Sequence, residues 1–180
     1  MLSKEELNKY APWLISVAKT GSSVLPWIEC PHDTDYVFYL TDNHLGEKIV
    51  ELTKKRPQGE CWLLDDPNSQ FMRIYAYQYH YLQPIYGKVF PKYDVLEHIP
   101  EYKKMLVELG LSQEPDVKTK QWYHILTGIY LIQNGKYELT DDQIKNIRIC
   151  YNKEMTLDIY NYIREQLLQY KIELEADNVY

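Results

Sequence analysis

At 180 residues, with 45% of them hydrophobic and 26% charged, the chain has material for one buried core or a small domain with a helical appendage, and too little length for two large independent domains. Its 7 glycines and 9 prolines argue against long disorder, and a formal net charge of −6 argues against bulk attraction to nucleic acid, leaving only a local basic groove for such a role. Three cysteines in odd number and at no metal-like spacing (Cys30, Cys61, Cys150) make a disulfide framework or zinc site unexpected, and no run approaches the ~18 apolar residues of a membrane span, so a reduced cytoplasmic protein without membrane attachment is expected.

In chain order, Ser3 with Glu6 three residues on forms a capping-box pattern for a short helix to about Tyr10. Pro12 interrupts it. Trp13 to Thr20, rich in apolar and β-branched residues and ending at Gly21, predicts a strand. Gly21-Ser22-Ser23 follows as a turn, and Pro26 and Pro31 leave room for one helical turn at most before His32, so a loop is expected there. Trp27 has two readings in that loop, an ordinary packing anchor or a surface for a base.

Asp33-Thr34-Asp35 then opens the apolar run Tyr36 to Leu40. Alternate residues of a strand share a face, so this pattern predicts Asp33 and Asp35 side by side at one edge of a sheet. Two carboxylates so placed repel unless a cation sits between them, and magnesium suits an all-oxygen site completed by substrate phosphates. Gly21 permits the backbone conformation that turns successive N–H groups toward an anion, with the serine hydroxyls beside it.

Leu45, Ile49 and Leu52 keep helical spacing after Asp42 or Asn43, and Lys54-Lys55-Arg56-Pro57 suits a helix end. Cys61 to Leu64 and Phe71 to Leu82 read as two strands of a hairpin around Asp65-Asp66-Pro67-Asn68-Ser69. In the second strand Tyr75, Tyr77, Tyr79 and Tyr81 would share a face, either packing or stacking a nucleobase. Pro84 should end it. A helix from about Pro100 carries Tyr102, Met105, Leu106 and Leu109 and should be capped by Gly110, and Ser112 to Asp116 is the expected boundary. Beyond it helical spacing runs through Trp122, Ile125, Leu126, Ile129 and Ile132, and Thr140 with Gln143 forms a second capping box. The last helix carries Leu157, Tyr160, Ile163, Leu167 and Leu168, with a polar tail from Glu173.

Gly21-Ser22, a ten-residue spacer and Asp33-x-Asp35 at the head of an apolar strand resemble the signature of the DNA polymerase β-like nucleotidyltransferase superfamily. With Lys120-Gln121-Trp122-Tyr123-His124 and Asn134-Gly135-Lys136 in a helical C-terminal part, residues 14–150 resemble the bacterial and phage predicted nucleotidyltransferases of the RlaP/YcgL kind. The resemblance implies an α+β fold: a small mixed β-sheet nucleotidyltransferase core flanked by helices over 1–111, a helical region over 117–172 packed on it, and the tail 173–180. It implies metal-dependent transfer of a nucleoside monophosphate from a nucleoside triphosphate to an acceptor, with pyrophosphate released. Asp33 and Asp35 would hold Mg2+ or Mn2+, and Gly21, Ser22, Ser23 and Lys120 would hold the nucleotide. A third carboxylate would activate the acceptor; Phe71 to Leu82 holds no acidic residue, so Glu60, Asp65 and Asp66 are the candidates and Asp65, ending a strand, is the choice. The acceptor, whether a protein, an RNA end or a small molecule, is left open. The alternative is a catalytically lapsed module that keeps the fold to bind a nucleotide or a protein partner.

Overall fold

The computed structural model describes residues 3–9, 13–41, 61–64 (backbone alone), 74–90, 93–113, 116, 119 and 121–177. The fold is α+β. The chain divides into two compact units, one of Met1–Phe71 with Gln78–Tyr93 and one of Met72–Tyr77 with Asp94–Tyr180.

The first unit is built on a four-stranded mixed sheet. Helix α1 (Lys4–Asn8) starts where expected, with Ser3 and Glu6 closing a reciprocal capping box. Strands β1 (Leu14–Thr20), β2 (Asp35–Leu40), β3 (Cys61–Leu64) and β4 (Gln83–Tyr86) stand in the order β3-β2-β1-β4. β1 runs antiparallel to both β2 and β4, whereas β3 runs parallel to β2. Leu7 of α1 is buried with Leu14, Val17, Tyr36, Phe38 and Leu40 on one face, while Ala18, Val37 and Tyr39 pack on the other. Burial raises the Tyr39 hydroxyl well above the usual tyrosine range.

Three expectations fail here for physical reasons. Among the described residues the predicted hairpin between Cys61–Leu64 and Phe71–Leu82 is not formed: Ile74 to Leu82 holds no strand, and β3 pairs with β2 in parallel register. Parallel neighbours need a long connection, and residues 41–60 supply it. The tyrosine run is not a strand: Ala76–Tyr81 is a 3-10 helix, in which three residues per turn scatter alternate tyrosines around the axis. Tyr77 is fully buried while Tyr75, Tyr79 and Tyr81 are partly exposed. Finally Pro84, expected to stop a strand, lies within β4. A proline lacks only the donor that an edge strand can spare, and β4 is at the sheet edge. The helix expected over Leu45 to Leu52 lies outside the described residues.

The second unit is helical: α2 (Ile99–Ser112), α3 (Gln121–Asn134), α4 (Asp141–Tyr151) and α5 (Leu157–Asp177). It takes in α2, which packs chiefly on α5. Gly110 is not a cap. It is buried inside α2, where an added Cβ would overlap the Leu167 side chain of α5. Gly128 of α3 likewise lets the helix lie close to Tyr102 and Leu106. Thr140 and Gln143 form the second capping box as expected, and Gln143 also exchanges two hydrogen bonds with Asn134. The core face of α5 is Ile163, Leu167 and Tyr170; Leu157 and Leu168, expected on it, are exposed. The helix runs past the expected tail boundary to Asp177, and Glu173 pairs with Lys103 of α2 at 2.8 Å.

Candidate functional site

Thr20 at the end of β1 lies opposite Asp35 at the start of β2, so the antiparallel pair brings the Gly-Ser segment and the second aspartate to one edge of the sheet. Gly21 follows Thr20 with φ +73°, in the left-handed region that suits glycine. It opens a 3-10 helix, Gly21–Val24, where a turn was expected. A Cβ on Gly21 would overlap the Asp35 carboxylate, and the nearest atom to it would be Oδ2. The bare glycine therefore makes the notch in which the Asp35 carboxylate rests.

The remaining predicted residues are placed less uniformly. Ser22 is buried, Asp35 is half-buried and Asp33 is exposed. Asp33 stands two residues before β2, in a bend, so the strict alternation that would align it with Asp35 does not extend to it. Ser23 donates its single hydroxyl proton to the Thr20 carbonyl at 3.1 Å, which closes the turn and takes away the donor it was expected to offer a phosphate. Lys120 lies outside the described residues.

Glu60, Asp65 and Asp66 are also outside them; of the strand between them, Cys61 lies opposite Tyr36 and Leu64 opposite Tyr39 in parallel register.

The loop after Val24 is well packed. Leu25 and Ile28 donate backbone hydrogen bonds to Ser22 and Leu25 at 3.2 Å, and Val24, Leu25, Trp27 and Ile28 are buried. Trp27 meets the Tyr81 ring edge-on, with centroids 5.2 Å apart, so its packing role is filled and no open face is left for a base. Burial pushes the Tyr81 hydroxyl up to about 12.

His124 belongs to the second unit. It is buried on α3, its Nδ1 is 2.8 Å from the Tyr77 hydroxyl, and Tyr75 and Tyr123 flank its ring. This is an interior histidine held by aromatic neighbours. Among the described residues no three His, Cys, Asp or Glu side chains gather as a metal cluster. No known protein family, curated protein or solved structure matches the chain.

The donor set at the edge of β1 and β2 can nevertheless be tested for fit to a cation. The Asp35 carboxylate seated in the glycine notch is its one placed ligand, and exposed Asp33, two residues before it, is the second carboxylate of the segment. Oxygen-only sites with one or two carboxylates suit magnesium when phosphates complete the shell. The residues fit such an ion only in company with a phosphorylated ligand.

Proposed function

We propose that the chain is a metal-dependent nucleotidyltransferase that binds a nucleoside triphosphate at the Gly21-Ser22 and Asp33-x-Asp35 edge of its sheet. The observation that carries the reading is the fit of the Asp35 carboxylate against the bare Cα of Gly21, two positions fourteen residues apart in sequence. The left-handed backbone at residue 21 calls for glycine in any case, but a turn calls for no acid packed against it, whereas phosphate binding beside a carboxylate-held cation uses both.

In this reading Asp35, with Asp33, would hold Mg2+ or Mn2+. Such an ion, when bound, neutralises phosphate charge and stabilises the attacking and leaving oxygens. The Gly21 region would present backbone N–H groups to the phosphates, with the Ser22 hydroxyl beside them. Ser23 would act indirectly, by holding the turn closed through Thr20. Asp65 would accept a proton from the acceptor, a task that demands hydrogen-bond reach of the attacking atom. The nucleoside monophosphate would pass to that atom with loss of pyrophosphate. Protein side chains, RNA ends and small molecules are all chemically suitable acceptors.

A second reading is a nucleotide-binding module without turnover, favoured by the lack of any acidic residue from Phe71 to Leu82. Thermal melting with each nucleoside triphosphate, with and without magnesium, separates the readings in combination with labelled triphosphate. A ligand that binds only the native state raises the melting temperature by mass action. A magnesium-dependent rise lost in Asp35→Asn, with label transferred to an acceptor, is the result expected. A rise without release of pyrophosphate supports the binding module, and no rise with any triphosphate overturns both.

A further inference from the structure

In the helical unit, α2 and α3 and the segment before the Ala76–Tyr81 helix border an open pocket of about 410 Å3. Ligand pockets commonly fall in the range of roughly 300–1,000 Å3 and combine apolar walls with a few orienting polar groups. Here Tyr75, Met105 and Leu109 supply the walls, and Glu108, Ser112 and Gln121 supply the polar groups.

The polar groups share one character. Glu108 offers a carboxylate, and its contact with Lys104, at 3.9 Å between two well-exposed side chains, is at the outer limit of an ion pair. The Ser112 hydroxyl spends its proton on the Leu109 carbonyl at 2.8 Å, so what remains of it accepts. The Gln121 Oε1 atom is buried with no hydrogen-bond partner among the described residues. A buried acceptor left unmet is costly, so a donor in the pocket toward which the Gln121 side chain can turn is favoured. Tyr75 is held in position by the edge-on His124 ring, with centroids 4.7 Å apart, and a fixed tyrosine face attracts cations.

We propose that this pocket binds a small organic cation, a primary ammonium or guanidinium group carried on a short aromatic or aliphatic body. The charged nitrogen meets Glu108 and Gln121, and the body lies against Tyr75, Met105 and Leu109. An anion is repelled by Glu108, and a neutral apolar molecule leaves Gln121 unmet. The net charge of −6 draws cations to the protein generally. The assignment stands apart from the nucleotide reading, since it uses none of the same residues.

The test is a titration of the isotope-labelled full chain with 2-phenylethylamine, followed by NMR through the Gln121 side-chain amide and the backbone amides of Leu109 and Ser112. Its neutral isostere 2-phenylethanol and the anion 3-phenylpropionate serve as comparisons. The amine is expected to shift those signals, the alcohol to bind at least about tenfold more weakly, and the anion to leave them unmoved. Glu108→Gln, a change at an exposed position, should weaken the amine about tenfold while signals elsewhere stay in place. Equal binding of amine and alcohol, an amine affinity unchanged in Glu108→Gln, or amine shifts scattered over the acidic surface with none at Gln121 would each overturn the proposal.

Discussion

Gly21 and Asp35 share one space: the carboxylate lies where a side chain on residue 21 would have to be. Gly21→Ala is therefore expected to destabilise the protein by about 3 kcal/mol, of which roughly 1–2 reflects the left-handed backbone and the rest overpacking against the carboxylate. Combining it with Asp35→Ala relieves the second part alone. Urea unfolding of the two single variants and the double variant should show a coupling of about 1 kcal/mol or more; strict additivity would mean the two residues do not meet.

If the protein transfers nucleotides, Asp65→Asn should lower the turnover of labelled triphosphate by roughly 10²-fold or more, the usual range for loss of a general base, whereas Glu60→Gln should leave it nearly unchanged. The reverse ranking would move the role of general base to Glu60.

Cys150 is buried, and burial pushes its thiol up from 9.0 to about 12. The unfolded thiol ionises from about pH 9 while the native one stays protonated, so the native state binds the extra proton. Stability from this group is fully present below pH 9 and declines between pH 9 and 12. Urea midpoints measured at pH 8 and pH 10 should fall less steeply in Cys150→Ala than in the wild type. At pH 8 an aromatic disulfide reagent should label the exposed Cys30 at once and Cys150 only as the chain unfolds.

Thr140 caps α4 through the Gln143 amide, and Gln143 reaches back to the Thr140 amide as well as to Asn134. Thr140→Ala should cost about 1 kcal/mol. Gln143→Ala should cost at least as much, because it also leaves the Asn134 side chain without those bonds; calorimetry on both variants checks the order.

Local rules reached far into this fold. Both capping boxes and the extents of β1 and α3 follow from side chains within a few residues of one another, and the structure places them as read. What escaped was decided by distant partners. Tyr75 to Tyr81 alternates like a strand, but Tyr77 is held by His124, forty-seven residues away. Gly110 has the composition of a helix cap, yet its lack of a side chain serves Leu167. At the candidate site the contact of Gly21 with Asp35 was not read from the sequence, because the cross-strand register of β1 and β2 sets it. Nor were the surroundings of Asp33 and Ser23, which a bend and a single hydroxyl proton decide.

The interleaving of the two units limits how the gene can be cut. Ending a fragment after Phe71 removes β4 and strips β1 of a neighbour, and ending it at residue 111 leaves α2 without the α5 surface that Gly110 was shaped to meet. A fragment ended at Tyr93 keeps all four strands, but it takes Ile74 to Tyr77 along without the Tyr102 and His124 groups that bond to them. Halves of this protein expressed separately would thus each carry or lack a piece of the other.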